Sequence, residues 1–436
     1  MRWLYTLVFY LSVPLILLRL LWRSRRAPAY AKRWGERFGL FAAPALKSPT
    51  IWVHAVSVGE SIAAAPVLRL LMERQPQANF VVTTTTPTGS EQVRKLFGHT
   101  VFHVYAPYDL PTCIVRFLKR INPTCLIIME TELWPNTIAI CHQYGIPAIL
   151  ANGRLSQKSA DGYRKISWLM APVFHRLSAA AIQHEDDAGR MQSLGLPANK
   201  SHVTGNIKFD LTISGALRQR AVQLKSAINE AGTRTIWIAA STHRGEDEKI
   251  VAAFSAARKK VPELFLLLVP RHPERFTEVA RYCQSQGYAI KRRSEESAFS
   301  ADSDILIGDT MGELLMLFGV ADIAFVGGSL VPVGGHNLIE PAAWGLPIVT
   351  GQHLFNFAEA ARLLQNANAM ITVDNEQALA TAVIEMATHR ETRERMGESA
   401  RAVANANRGA LDKLLKVVED YGCKSAGDTS SVSLSH

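Results

Sequence analysis

The stretch IWVHAVSVGESIAAAPVLRLLMERQPQANFVVTTTTPTGS (Ile51–Ser90) decides the fold. Two apolar, β-branched runs, IWVHAV and NFVV, each end in a turn of glycine or hydroxyl residues and lead into a helix-compatible segment, the first from Ser61. Short apolar runs alternating with helices belong to strands of a parallel sheet covered on both faces. The plan recurs in TCLIIMETELWP, IPAILANGRLS, SAAAIQHEDDAGRMQSLGL and SHVTGNIKFD, to about residue 210. After a polar helical stretch, Leu211–Gly232, a second series follows: TIWIAAST, ELFLLLVPR, YAIKRR, DILIGD, DIAFVGGS and LPIVTG. The expected fold is α/β, two doubly wound Rossmann-type halves facing a cleft, with ligands outside the carboxyl ends of the strands.

The expected domains are a membrane anchor (1–25), an N-terminal domain (26–210), a linker (211–232), a C-terminal domain (233–425) and a disordered tail (426–436). A chain of 436 residues exceeds one ordinary core. Of the net charge of +10, seven units lie in residues 1–40, where eight Lys/Arg face the single acid Glu36. The rest is nearly balanced, which argues against a nucleic-acid partner. Trp3 to Trp22 is a mostly apolar run of twenty residues, about 30 Å as a helix. Aromatic rings stand at its ends and basic residues crowd its C-terminal flank, the order opposite to a cleaved signal peptide. The expectation is a single membrane anchor with the bulk of the chain on the cytoplasmic face. A helix spanning the bilayer and one lying in its interface both fit, since Pro14 and Arg19 interrupt the run. Five scattered cysteines lack metal spacing and argue against a disulfide framework.

Several polar residues stand just past predicted strands. Glu60, closing VSVGE, can cap a helix or act as a general base. TTTTPTGS (Thr83–Ser90) offers hydroxyls for turn chemistry or for a polar ligand. METELWPN places Glu130 and Glu132 on one side of an extended segment, and GNIKFD supplies Lys208, able to neutralise an anion.

In the second half, Pro270, Arg271 and His272 follow a hydrophobic strand, and Arg suits bidentate phosphate contact. GDTMGE (Gly308–Glu313) opens a helix with Asp309 or Thr310 as its cap. GGSLVPVGGHNLIEP (Gly327–Pro341) brings Gly327, Gly328, Ser329, Gly334, Gly335, His336 and Asn337 before another helix. No Lys-Ser/Thr follows these glycines and no dinucleotide fingerprint fits, which excludes a Walker loop and an NAD site. Glycine amides at a helix N-terminus suit a nucleotide phosphate, and Glu340 a ribose. The acids Asp186, Asp187, Asp302 and Asp304 read as solvated, so no metal site is expected.

With these residues collected, the chain resembles the 3-deoxy-D-manno-octulosonic acid (Kdo) transferases of lipopolysaccharide biosynthesis. The resemblance runs through RWGERFG, VSVGE, TTTTPTGSE, YAPYDLP, METELWPN, GNIKFD, STHRGE, VPRHPERF, GDTMGEL, FVGGSLV, GGHNLIEPAA and FNF, almost the whole chain. It implies a GT-B fold, CMP-Kdo as donor, a lipid A precursor as acceptor, inversion at the anomeric centre, and no cofactor or metal. It also implies Glu60 as proton acceptor and Glu130 and Lys208 as transition-state supports. The CMP-binding segments it implies are Pro270–Arg271, Met311, Gly312 and Glu313, and Asn337, Leu338, Ile339 and Glu340. A GT-B enzyme using another nucleotide sugar and a non-catalytic membrane-bound nucleotide or lipid sensor are the competing readings.

Overall fold

The computed structural model describes residues 2–25, 28–44, 46, 49–295 and 303–422. The expected disordered tail, 426–436, lies outside them. The chain forms two compact units, Met1–Asp210 with Gly409–His436, and Leu211–Arg408.

In the first unit, seven parallel strands are β1 (Thr50–His54), β2 (Asn79–Thr84), β3 (Phe102–Tyr105), β4 (Cys125–Met129), β5 (Ala148–Gly153), β6 (Ala179–Ile182) and β7 (Ser201–Val203). Their spatial order is β3-β2-β1-β4-β5-β6-β7. Successive side chains serve opposite faces. Ile51, Val53, Ile127 and Ile149 join one core, and Trp52, Val81, Ile128 and Leu150 the other. That two-sided burial is why the strands read as unbroken apolar runs. Cys113, Cys141 and Cys283 are free and buried.

The second unit holds β8 (Thr235–Thr242), β9 (Leu264–Pro270), β10 (Ile290–Arg292), β11 (Ile305–Ile307), β12 (Ile323–Val326), β13 (Ile348–Thr350) and β14 (Met370–Thr372), ordered β10-β11-β9-β8-β12-β13-β14, all parallel.

Two expected boundaries are corrected. Residues 211–232 are no free linker: the helix Gly215–Ile228 buries Ala221, Leu224 and Ile228 against Ile236, Phe318 and Leu346 as one layer of the second unit. The C-terminal domain does not run to residue 425. The helix Ala410–Tyr421 packs Leu414, Leu415 and Val418 against Ile149, Ala179 and Ala181 of the first sheet. Asp210 fastens this return by accepting from the Gly409 and Leu411 amides, and Arg74 pairs with Asp412 and Glu419 at 3.0 and 3.1 Å.

In each sheet the strand order reverses beside the first strand, between β1 and β4 and between β8 and β12. Loops leaving neighbouring carboxyl ends there diverge to opposite faces and open a crevice. Glu60 and Glu130 follow β1 and β4; His243 and Gly327 follow β8 and β12.

Candidate active site

In the first unit, β1 turns into the helix Val58–Arg74 with Ser57 as its cap. The Glu60 amide donates to the Ser57 hydroxyl oxygen at 3.2 Å, while the carboxylate accepts from that hydroxyl and from the Val56 amide, both at 2.8 Å. This is a capping box with the acid reaching back past the cap. Only 8% of Glu60 is exposed. Burial pushes its pKa up to about 7; the bonds from Ser57 and Val56 resist, and the charges of Glu132 and Glu130 add to the rise. The capping and base readings therefore coexist: the bonds that cap the helix also aim the carboxylate, and desolvation tunes its proton to neutral pH.

The hydroxyl-rich loop is mostly spent inside the fold. Thr83 accepts from Trp52 Nε1 and meets His54 Nδ1, both at 2.9 Å, and Thr86 caps the helix Pro87–Phe97. Thr85 donates its amide and hydroxyl to the Val56 carbonyl at 3.1 and 3.0 Å, steadying the peptide that holds Glu60.

METELWPN is a turn rather than an extended segment, because Glu130 takes a left-handed conformation at φ 56°. Its carboxylate accepts from Arg154 at 3.0 Å and lies 3.8 Å from Lys208 Nζ, whereas Glu132 accepts from Trp134 Nε1 at 3.0 Å. Two cations thus hold Glu130, and Glu132 takes a different partner rather than sharing its side of an extended segment. Asn152, fully buried at φ 55°, positions the lysine from behind by accepting the Ile207 amide at 3.2 Å. Arg154, Asn152 and Ser57 escaped the sequence reading. The available signal was NGRLS directly after an apolar run, the position Glu130 itself occupies after β4.

In the second unit the first glycine pair is filled from within. The buried Glu246 carboxylate accepts from the amides of Gly328, Ser329, Leu330 and His243 at 2.7, 3.0, 2.9 and 2.9 Å. The expected cradle does hold an anion, but it is the protein's own. Ser329 donates to the Val326 carbonyl and accepts from Gly351 N–H, and the amides of Gly334 and Gly335 donate to the Gly328 carbonyl. Phosphate binding by these amides is therefore withdrawn: their hydrogens are already committed.

What remains open is a pocket of about 190 Å³ lined by Ser241, Arg271, His336, Asn337 and Glu340, over Ala240, Leu314, Phe318 and Val326. The Arg271 amide is tied to the Thr242 carbonyl at 3.0 Å, while its guanidinium extends from an exposed residue. His336 Nε2 and His243 Nε2 lie 2.8 Å apart with parallel rings, a distance at which one ring donates to the other. Burial and the neighbouring His243, Arg271 and His272 lower His336 to about 4. Asn337 donates to Glu340 at 3.1 Å, and burial raises Glu340 above the usual carboxylate range despite that bond.

Not every expected residue gathers here. Pro270 ends β9, and Leu338 and Ile339 bury their side chains in the core, which leaves only backbone for contact. Met311 is 62% exposed. Glu313 is held by Thr310, Arg220 and Arg293 at 2.6–3.1 Å; burial opposes ionisation, but these partners outweigh it and lower its pKa. Neither Asp309 nor Thr310 caps the following helix, since Asp309 accepts from Arg292 and Ser294 instead. Among the described residues no group of three or more His, Cys, Asp or Glu side chains is arranged to hold a metal ion.

Two doubly wound parallel sheets, each with polar residues at its reversal point, define a GT-B-like glycosyltransferase architecture. A UDP-GlcNAc 2-epimerase from Neisseria meningitidis shares this fold with a TM-score of 0.54 and 16% identity, over 84% of this chain and all of that one. Residues 32–211 match the family profile described as 3-deoxy-D-manno-octulosonic-acid transferase (kdotransferase). A 3-deoxy-D-manno-octulosonic acid transferase of Haemophilus influenzae is 42% identical over 96% of this chain and 98% of its own. One from Bordetella pertussis is 36% identical over 96% and 99%. The chain belongs to the Kdo transferase family and is a glycosyltransferase.

Proposed function

We propose that this enzyme moves Kdo from CMP-Kdo to the acylated, phosphorylated glucosamine disaccharide of a lipid A precursor, with inversion and without a metal ion. The first unit takes the acceptor and the second the CMP-sugar. The observation that carries the reading is the buried Glu60 carboxylate at the β1–β4 reversal, its pKa pushed up to about 7.

Glu60 takes the proton of the acceptor hydroxyl as that oxygen bonds to the anomeric carbon of Kdo and the bond to the CMP phosphate breaks. Negative charge then leaves with CMP. Arg271, with Ser241, His336 and Asn337 about it, offers fixed donors for that charge, a role that preorganised cationic groups fill as a metal would. Glu340 beside Asn337 suits a ribose hydroxyl. Glu130, held between Arg154 and Lys208, supports the transition state as a preset ion cluster.

The helix Arg2–Ser24 is long and apolar enough to anchor the chain. Its basic C-terminal flank favours the cytoplasmic face of the inner membrane, where an anionic lipid acceptor resides.

The test incubates purified protein with CMP-Kdo and lipid A precursor, with and without chelator, and resolves products by mass. Addition of Kdo in both arms is expected, and inversion is read from the anomeric configuration of the product. Loss on chelation overturns metal independence; turnover of UDP-sugars in place of CMP-Kdo overturns the donor. Intact function in Glu60→Gln would favour the sensor reading.

A further inference from the structure

The N-terminal helix has two faces along its whole length. Trp3, Leu7, Leu11, Leu15, Leu18 and Trp22 are 48–70% exposed. Their spacing of three and four keeps them on one stripe, an arc of roughly 120° at ~100° per residue. The opposite stripe, from Tyr5 and Phe9 through Val13, Ile16, Leu20 and Ser24, is half-buried. Its first turns are bonded to the first unit. Tyr5 donates to Asp109 at 2.9 Å, the Thr6 hydroxyl meets Asn136 at 3.1 Å, and Phe9 packs on Tyr108 at 6.4 Å. Beyond it, Arg23 lies over Tyr30 at 4.8 Å.

The docking place is specific. Asp109 and Tyr108 follow β3, and Asn136 stands in the first turn of the helix Pro135–Gln143, directly after the Glu130–Trp134 turn. The helix therefore rests at the carboxyl edge of the first sheet, the edge that carries Glu60 and Glu130. Asp109 is fully desolvated and accepts from the Asn136 and Thr137 amides and the Thr137 hydroxyl besides Tyr5.

A helix crossing the bilayer must expose apolar side chains all round and stand clear of its soluble domain. This one ties the first turns of one face to that domain by polar bonds. The charge pattern fits a lipid surface: Arg19, Arg23, Arg25 and Lys32 are exposed, and no acidic residue precedes Glu36. An apolar stripe flanked by cations with tryptophan near each end matches the headgroup–acyl boundary of an anionic leaflet.

We propose that this helix lies in the plane of the membrane, its Trp3–Trp22 stripe inserted and its other face fixed to the first unit, so that the acceptor edge of the sheet is held at the lipid surface. The inference rests on the anchoring role given above and specifies its geometry.

The test uses the full chain on sealed vesicles of phosphatidylethanolamine with a minority of phosphatidylglycerol. Arg2→Cys and Arg25→Cys variants are labelled from outside with a membrane-impermeant maleimide, and the unsubstituted chain gives the background. Equal labelling within about twofold is expected, because both helix ends stay on the outer face. Protection of Arg2→Cys until detergent is added means the helix crosses the bilayer and overturns the proposal. Leu11→Asp with Leu15→Asp should weaken vesicle binding at least about tenfold. Undiminished binding also overturns it. If the wild-type chain ignores these vesicles, the anchoring role itself fails; self-association through the stripe would then identify a second copy as its occupant.

Discussion

Two glutamates occupy matching places and do opposite work. Each follows the first strand of its sheet and ends a Gly-Glu pair, Glu60 after β1 and Glu246 after β8. Glu60 accepts two hydrogen bonds and feels the charges of Glu130 and Glu132, whereas Glu246 accepts four backbone amides and is fully buried. Burial raises both pKa values, against the bonds each accepts. The lesson concerns the donors: a carboxylate with lone pairs to spare can exchange a proton, and one saturated by amides becomes a strut for the loop around it.

The comparison breaks first on turnover. Glu60→Gln can still accept from the Val56 amide but cannot take a proton, so kcat should fall about 10²–10⁴-fold with nucleotide binding intact. A Glu246→Gln enzyme that folds should keep its chemistry, and an equal loss of kcat there would erase the distinction. Next, Arg271→Ala should cost about 10–100-fold in kcat/KM for the donor, from the loss of a charge-assisted phosphate contact. Binding of CMP unchanged by calorimetry would move the phosphate elsewhere.

Stability sharpens the contrast in the other direction. Glu246→Gln presents its own N–H₂ to amide donors, and thermal or denaturant unfolding should show a loss of about 1–3 kcal/mol. Glu60 has the reverse sign. Its folded pKa of about 7 exceeds the ordinary 4.5. Its protonated form therefore contributes stability fully below 4.5, and that contribution is lost as pH rises through 7. Glu60→Gln, which cannot ionise, should match the wild type in acid and exceed it by on the order of 1–3 kcal/mol above neutrality. The smallest effect is the pH profile. Wild-type kcat/KM should rise about tenfold per unit up to about pH 7 and then level off, and any residual activity of Glu60→Gln should lack that limb.

Twelve of the fourteen described strands were legible because parallel strands buried on both faces cannot disguise their apolar runs; the short edge strands β3 and β14, only partly buried, were missed. Glu60 and Arg271 were legible because a polar residue just past such a run stands at the carboxyl edge of the sheet. Glu246 was not: HRGE looks solvated, and nothing in the chain announces that three amides some eighty residues away converge on it. The same blindness made the glycine turns read as an open phosphate cradle. Arg154 stayed hidden because an arginine in a loop names no partner. The helix Ala410–Tyr421 was placed in the wrong unit because its apolar stripe does not say which of two sheets it covers.

That returning helix ties synthesis to folding. When the ribosome has finished Asp210, every strand of the first sheet exists, yet one of its faces lacks Leu414, Leu415 and Val418. Some two hundred further residues must emerge before the missing cover arrives. A nascent first unit therefore waits with a bare apolar strip, a natural stop for a holdase chaperone, and any chain cut short before Gly409 leaves that strip permanently open to aggregation.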